Sequence, residues 1–244
     1  MLLDRYRQAI DDLFRKVRDT QTDNIIKAGE MVAESVANGG CVFLSRICHA
    51  MEMDSIYRGG GPIFYKHFSY DLKIENAARP RDRSDLKIET QGAAARYALT
   101  QSNVRPGDVL FVGSVSGRTK DVVDLAYEAE QMGVKVIAFV SMAYAGEVEP
   151  VHPSGKKLYE IASLTLDNCA PAAEAMLDVE GIEAKFGAAS GIASDYIMWS
   201  VTSVAVEKLL EKGLTPGILK SANYPGGNDY NKTVIEPHYD RYGW

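Results

Sequence analysis

One segment in the middle of the chain limits the possible folds most, because it alternates between two kinds of secondary structure. The apolar run 108–112 ends in the loop 113–119, Gly-Ser-Val-Ser-Gly-Arg-Thr, and helical spacing runs over 118–132. The apolar run 134–140 follows at once and is typical of a second buried strand. Two strands joined by a helix form a βαβ unit, which requires parallel strands and a right-handed crossover. The sequence therefore predicts an α/β fold.

Further periodic segments lie on both sides of this unit. Apolar residues at three- and four-residue spacing predict a long amphipathic helix over 4–37 and a mostly apolar helix over 190–212. Shorter patterns predict helices over 49–58 and 86–102, and strands over 41–44, 63–65, 164–167 and, at an edge, 218–219. One doubly wound, three-layer α/β domain over 1–244 accounts for these elements, with 1–38 as an N-terminal helical extension.

Composition argues against several classes of protein. The 244 residues are 46% hydrophobic, which is enough for a substantial core, and the formal charge of −6 argues against a nucleic-acid surface. Three cysteines without a Cys-x-x-Cys pair fit a reducing compartment and support neither a disulfide framework nor a zinc site. The N-terminus turns charged at once, and no stretch reaches the roughly 20 apolar residues of a membrane helix. We therefore expect a soluble, cytoplasmic protein.

The loop between the first strand and the helix of the βαβ unit has the composition of an anion-binding site. It supplies three hydroxyl donors, a conformationally free glycine and one cation: Ser114, Ser116, Thr119, Gly117 and Arg118. The free N–H groups of the first helical turn and the helix dipole both favour a negatively charged ligand. A serine-rich helix cap is the alternative, but three hydroxyls and two glycines exceed what capping needs. Residues 113–119, called the anion cradle below, therefore predict a small anionic ligand.

The anion cradle also resembles a known family. Ser114-x-Ser116-Gly117-x-Thr119 after a buried strand is similar to the phosphate-binding signature of sugar isomerase (SIS) domains. Further stretches match a group of stand-alone bacterial SIS proteins of this length: Tyr57-Arg58-Gly59-Gly60-Gly61, His152-Pro153-Ser154-Gly155-Lys156-Lys157-Leu158-Tyr159-Glu160, Asp167-Asn168, and Ser221-Ala222-Asn223 with Gly226-Gly227. The resemblance implies a flavodoxin-like fold that binds phosphosugars at the ends of parallel strands. Because SIS modules include isomerases, lyases, deaminase or synthase domains and non-catalytic sensors, it constrains the fold more than the reaction.

One loop departs from the pattern of that group. There the first strand ends in a glycine-rich loop with a serine or threonine before the matched histidine, whereas this chain has Leu44-Ser45-Arg46-Ile47-Cys48-His49. Arginine brings a planar, permanently charged fork that suits a trigonal or tetrahedral oxyanion. Ser45 and Arg46 are therefore substrate-binding candidates, and a sulfonate becomes an alternative to a phosphate head group. A surface arginine beside a remodelled loop is the other interpretation.

Aldose–ketose isomerisation needs a base that moves a proton between adjacent carbons and an acid that serves the hydroxyl oxygens. A carboxylate and a histidine suit these roles, because both can be tuned near neutral pH. His49 follows the first strand, where open α/β sheets bind ligands, and Glu52 lies on the same predicted helix face. His152 is a candidate for catalysis or ring opening, or else it orders its own loop. The resemblance adds Glu89, since SIS isomerases often take their base from the helix before the cradle strand; Glu52, Asp54 and Glu75 are rivals that spacing does not separate.

The C-terminal segment 224–244 is more aromatic than a solvated tail should be. We expect it to pack at a dimer interface or over the pocket. The resemblance implies pairing, because SIS proteins commonly form dimers whose partners complete each other's site. Asn223, in a matched stretch, and His238, in the tail, are then substrate-binding candidates, with a surface position as the alternative for His238.

These features predict an aldose–ketose isomerase for an anionic sugar, acting as a homodimer or higher homo-oligomer. We expect no metal, no organic cofactor, no nucleic acid and no membrane among its partners, since His-x-x-Glu alone is weak support for a metal. The substrate is a sugar phosphate by family default, or a 6-sulfonated hexose such as sulfoquinovose if Arg46 re-tunes the anion site. A non-catalytic sugar-phosphate sensor and an SIS-type lyase or etherase stay open as alternatives.

Overall fold

A parallel β-sheet lies at the centre of the chain. The computed structural model describes residues 1–45, 49, 54–73, 75–82 and 92–244. Within them, five strands pair in the order β2-β1-β3-β4-β5, and every pairing is parallel. The strands are β1 Val42–Leu44, β2 Tyr65–His67, β3 Val109–Gly113, β4 Lys135–Val140 and β5 Leu164–Asp167. Strands β1 and β3 are buried along their whole length, as a parallel sheet with helices on both faces requires.

Helices cover both faces of this sheet. They are α1 Leu2–Ala37, α2 Ala93–Gln101, α3 Lys120–Gln131, α4 Met142–Glu147 and α5 Ser190–Glu211. Helices α1 and α5 enclose one core with Phe111, and α2 and α3 enclose the other with Leu110, so that neighbouring residues of β3 enter opposite cores. The predicted three-layer, doubly wound α/β fold with a long N-terminal helix is confirmed. No helix within the described residues has the length and apolar character needed to cross a bilayer.

Smaller elements complete the chain. A hairpin pairs β6 Ala175–Leu177 with β7 Phe186–Ala188, a 3-10 turn spans Leu158–Glu160, and the tail contains α6 Gly227–Tyr230, a π-helical turn Asn231–Ile235 and α7 Glu236–Tyr242. The tail packs on its own chain, since Ile235 joins Ile63 and Leu219 in a small apolar cluster. The hairpin was not predicted, because its strands are only three residues long and lack a clear alternation.

Three predicted elements at or near β2 differ from the observed structure. The helix predicted over 49–58 does not extend over residues 54–58, which form irregular turns in which Tyr57 has a φ of +54°. The strand predicted over 63–65 begins two residues later, because the Ile63 N–H donates to the Gly217 oxygen at 2.9 Å instead of to a neighbouring strand. The predicted edge strand 218–219 is a single antiparallel bridge between Ile218 and Pro62.

A buried carboxylate holds the start of β3 against the start of β1. Asp108 is 3% exposed, and its Oδ1 accepts the Cys41 N–H at 2.7 Å while its Oδ2 accepts the Arg105 N–H at 2.7 Å. Both N–H groups would otherwise lack an acceptor at the point where the two strands enter the sheet. Asp108 therefore acts as a structural clamp at the amino edge, far from the carboxyl ends of the strands.

We expect Asp108→Ala to lower the free energy of unfolding by about 2–4 kcal/mol, because it leaves two partly buried N–H donors without an acceptor. Asp108→Asn is the matched control, since it keeps one carbonyl oxygen and should cost about half as much. Urea denaturation of both variants measures the difference. Equal stability of Asp108→Ala and the wild type would contradict the clamp.

Candidate functional site

The strand order places a crevice between the carboxyl ends of β1 and β3. The chain leaves β1 toward β2 and leaves β3 toward β4, so the direction of winding reverses between β1 and β3. Open α/β sheets bind ligands at such a reversal, just beyond the carboxyl ends of the strands. The Ser45 N–H donates to the Phe111 oxygen at 2.9 Å, so the residue that follows β1 lies beside the carboxyl half of β3. Ser45 and the anion cradle therefore border the same crevice.

The anion cradle folds as a tight, internally bonded loop. The hydroxyls of Ser114 and Thr119 lie 2.7 Å apart, and the Thr119 N–H lies 3.4 Å from Ser114 Oγ. Gly117 has a φ of +68°, its N–H donates to the Ser114 oxygen at 2.8 Å, and its oxygen accepts the Leu158 N–H at 2.7 Å. Ser114 is buried, whereas Thr119 is exposed where α3 begins. The loop thus puts the Thr119 hydroxyl on the surface formed by the first turn of α3, whose N–H groups suit an anion, with the buried Ser114 hydroxyl behind it.

The two other predicted cradle residues lie beside this surface. Ser116 and Arg118 are half-buried, and Arg118 Nη1 lies 3.5 Å from the Glu149 oxygen. That distance is long for a hydrogen bond, so this contact holds the guanidinium only loosely. The structure brings together Ser114, Gly117 and Thr119 by direct hydrogen bonds and keeps Ser116 and Arg118 within the same short loop.

A second polar cluster lies at the same edge of the sheet. His49 Nδ1 is 3.1 Å from Glu174 Oε2, and the Ser190 hydroxyl donates to that same oxygen at 2.9 Å. Ser190 Oγ also lies 3.5 Å from His49 Nδ1. The side chain of His49 is 69% exposed and that of Glu174 23%, while Ser190 is fully buried at the first turn of α5. The cluster therefore runs from the interior to an accessible imidazole.

Glu174 reaches this cluster through an unusual backbone. The segment between β5 and β6 contains three of the four non-glycine residues with positive φ in the described chain: Cys169 at +58°, Ala173 at +57° and Glu174 at +72°. L-residues avoid this region, and such conformations persist only where the surroundings impose them. Here the Glu174 N–H donates to the Pro171 oxygen at 2.9 Å, and the Glu174 oxygen accepts the Ala189 N–H at 3.0 Å.

Hydrogen bonds through Ser141 connect the cradle to this segment. The Ser141 N–H donates to the oxygen of Val115, in the cradle, at 2.9 Å. The Ser141 hydroxyl donates to the oxygen of Ala170, after β5, at 2.7 Å. Ser141 is fully buried, so these bonds are shielded from water. These bonds hold the loops that follow β3, β4 and β5 together at the carboxyl edge of the sheet. The cradle and the His49 cluster both lie at this edge.

A cavity of about 410 Å³ opens at the carboxyl ends of β1 and β2. Ser45, Tyr70 and Asp121, the last in the first turn of α3, are among its lining residues. Burial raises the pKa of the Tyr70 phenol, and the carboxylates of Asp121 and Asp124 raise it further. Tyr70 therefore keeps its proton and can donate a hydrogen bond into the cavity.

The geometry of His152 favours the second of its two interpretations. Its side chain is 3% exposed, Nε2 lies 2.9 Å from Asp124 Oδ1, and Nδ1 lies 2.7 Å from Ser154 Oγ. Both ring nitrogens thus face protein partners on α3 and in the 152–155 turn. These contacts favour a role in ordering the loop over a role in catalysis or ring opening.

Asn223 and His238 do not meet the cradle within one chain. Asn223 is exposed, in a turn beside segment 219–221, which bonds to residues that precede β2. This is the amino side of a parallel strand, whereas the cradle lies at the carboxyl side. His238, on α7, contacts Tyr242 at 5.0 Å between ring centroids, and its Nε2 is buried without a hydrogen-bond partner among the described residues.

Three predicted site residues, Arg46, Glu52 and Glu89, lie outside the described residues. Among the described residues, no three His, Cys, Asp or Glu side chains are grouped as a metal site would need. Sequence reasoning missed Glu174 and Ser190. A carboxylate shortly after a parallel strand was the only local signal for Glu174, and nothing in the sequence marks its contact with His49.

The class of protein follows from comparison with known families. A family model described as SIS domain matches residues 5–141, more than half of the chain, and the chain therefore belongs to the SIS domain family. This confirms the family that the cradle motif predicted.

Two relatives are similar to this chain over nearly its whole length. A UPF0309 protein of Shouchella clausii is 31% identical over 239 residues, covering 97% of this chain and 96% of its own length. One from Streptomyces griseus is 32% identical over 242 residues, covering 98% and 96%.

Solved structures with similar folds are more distant in sequence. The phosphoheptose isomerase of Neisseria gonorrhoeae aligns with a TM-score of 0.48 at 12% identity, covering 85% of this chain and 98% of its own. The Vibrio vulnificus NanR protein, solved in complex with ManNAc-6P, aligns with a TM-score of 0.48 at 16% identity, covering 99% of this chain and 70% of its own.

Proposed function

We propose that the protein is an aldose–ketose isomerase that acts on an anionic sugar in the cytoplasm. The observation that carries this proposal is that the anion cradle and the His49–Glu174 pair occupy one edge of the sheet, where Ser141 bonds the cradle to the segment that contains Glu174. A cradle alone fits any binder of a small anion. An accessible imidazole held by a carboxylate beside it adds the acid–base capacity that isomerisation needs.

The chemistry divides between two regions of the site. The hydroxyls of the cradle and the first-turn N–H groups of α3 hold the head group, which fixes the sugar carbons relative to His49. A carboxylate takes the proton from C2 and returns it to C1, and we propose Glu89 or Glu52 for this role. His49 exchanges protons with O1 and O2, the oxygens on the two reacting carbons. The head group is a phosphate, or a sulfonate of a 6-sulfonated hexose such as sulfoquinovose if Arg46 contacts it.

Deuterium incorporation tests this proposal directly. The protein is incubated in D2O with hexose 6-phosphates, heptose 7-phosphates and 6-sulfonated hexoses, and label at C1 or C2 is followed by NMR. We expect one substrate to acquire label together with its isomeric product. Thermal stabilisation by a sugar that acquires no label would instead support a non-catalytic sensor. Loss of a substituent in place of isomerisation would support a lyase or etherase.

We also propose that the protein functions as a homodimer. An apolar cavity of about 430 Å³ lies between the start of α1 and β7, and its walls include Leu3, Tyr6 and Phe186. Phe186 is 49% exposed and Leu3 48%, so this surface leaves large apolar side chains in water.

We expect Phe186→Glu to convert a dimer to a monomer by placing a charge in this apolar contact, which analytical ultracentrifugation measures. Tyr97→Glu is the matched control, because Tyr97 is 70% exposed on α2, on the opposite face of the sheet. A wild-type monomer, or a Phe186→Glu variant that remains a dimer, would contradict this interface.

A further inference from the structure

The three side chains of the His49 cluster are linked in a chain of hydrogen bonds, from Ser190 to Glu174 to His49. Neither the family nor the cradle implies this arrangement. Ser190 bonds Glu174, and Glu174 bonds His49 through the same carboxylate oxygen. We propose that Glu174 is a positioning residue, which holds His49 with its Nδ1 protonated so that Nε2 exchanges protons with the substrate. This inference rests on the proposed isomerase function and assigns the proton-transfer group of the same site.

The chemistry of a carboxylate fixes the tautomer of the imidazole. An ionised carboxylate only accepts hydrogen bonds, so the 3.1 Å contact between Glu174 Oε2 and His49 Nδ1 requires the proton on Nδ1. Nε2 then carries the lone pair and lies on the side of the ring that faces away from Glu174.

The surroundings of Glu174 explain why its carboxylate keeps one position. Ser190 is fully buried and donates to Oε2, so the oxygen that faces His49 is anchored from the interior. The positive φ values of Ala173 and Glu174 turn the chain so that this side chain points back to α5. Backbone strain of this kind is concentrated at functional sites, where it sets the direction of a side chain.

Proton transfer by Nε2 balances without another reactant. The base removes the hydrogen from C2, the C–H electron pair becomes the C1=C2 bond, and the carbonyl pair moves onto O1. Nε2 takes the proton of the O2 hydroxyl and delivers it to O1. As O2 forms the new carbonyl, the C1=C2 pair takes the proton back from the base at C1. His49 and the base both return to their starting states.

The test uses the full chain and a readout that does not depend on activity. Protein labelled with ¹⁵N-histidine reports the tautomer of each ring by NMR, and the signal missing from His49→Gln assigns His49 among the four histidines. We expect Nδ1–H for His49 in the wild type and a shift toward Nε2–H in Glu174→Gln. We expect Glu180→Gln, an exposed glutamate between β6 and β7, to leave the tautomer unchanged.

The kinetic arm separates positioning from folding and binding. We expect Glu174→Gln to lower kcat by about 10- to 100-fold with KM within about threefold, since the cradle is untouched. Ser190→Ala keeps the carboxylate and should lower kcat by less than Glu174→Gln. If Glu174→Gln fails to fold, Ser190→Ala serves as the second variant. We expect it to weaken the NMR signal of the His49 Nδ1–H tautomer, because Glu174 loses the hydrogen bond that anchors its carboxylate.

An unchanged His49 tautomer in Glu174→Gln, or in Ser190→Ala if that variant must replace it, would overturn the proposal. Wild-type protein that labels no sugar while His49 shows the Nδ1–H tautomer would overturn the isomerase function and leave the geometric assignment standing. The two failures are therefore distinguishable.

Discussion

Replacing Gly117 with valine is expected to weaken binding of the anionic sugar by about a hundredfold or more, which corresponds to about 2.7 kcal/mol. Gly117 has a φ of +68°, a region that β-branched residues adopt only under strain. A Cβ at this position would also meet Val140 Cγ1 at 3.2 Å, which is tighter than ordinary packing. The loop must therefore shift, and the hydroxyls of Ser114 and Thr119 shift with it. Isothermal titration with the sugar identified by deuterium labelling measures the loss.

Gly155→Val is the matched control for this substitution. Gly155 has nearly the same φ, +71°, but an added Cβ would have no heavy atom within 4 Å. We expect both variants to lose about 1–3 kcal/mol of stability from backbone strain. Overpacking against Val140 should add about 1–3 kcal/mol in Gly117→Val alone. Because Gly155 lies outside the cradle, its variant should bind the sugar like the wild type.

The comparison of the two glycine variants decides whether the loop is a binding site. Equal affinity losses in both would mean that general destabilisation weakens binding. Unchanged affinity in Gly117→Val would mean that the head group lies elsewhere, for instance against Arg46, and would remove the main support for the cradle.

Local pattern was sufficient to predict the part of the fold that forms the cradle. The strand predicted over 108–112 is observed at Val109–Gly113, and the helix predicted over 118–132 at Lys120–Gln131. These elements follow hydrophobic periods that are strong over a few residues, so tertiary contacts do not override them. The cradle motif lies where the strand ends and needs no information from the rest of the chain.

The acid–base cluster could not be predicted in the same way. Ser190 and His49 are 141 residues apart in sequence and meet at the carboxylate of Glu174, beside the first turn of α5. Glu174 reaches them because Ala173 and Glu174 both have positive φ values. No feature of the sequence predicts that conformation at an alanine or a glutamate. The sequence placed Glu52 beside His49 by helical spacing, whereas the described contact is made by Glu174.

Opposite effects are expected from substituting the two histidines that the sequence singled out. We expect His49→Gln to lower kcat by about 10²- to 10⁴-fold, because it removes a group that transfers protons in the reaction. KM should change by less than about threefold, since the head group is held elsewhere. The unfolding free energy should stay within about 0.5 kcal/mol of the wild type, because this side chain is exposed. Steady-state kinetics and urea denaturation measure both quantities.

His152→Gln is the matched substitution and should show the reverse pattern. Its ring is buried between Asp124 and Ser154, so the variant loses two hydrogen bonds that water cannot replace. We expect a loss of about 1–3 kcal/mol of stability and a kcat within about threefold of the wild type. A large kcat loss in His152→Gln with normal stability would move the acid–base role from His49 to His152. Because both variants exchange the same side chains, only the positions of the two histidines can account for a difference between them.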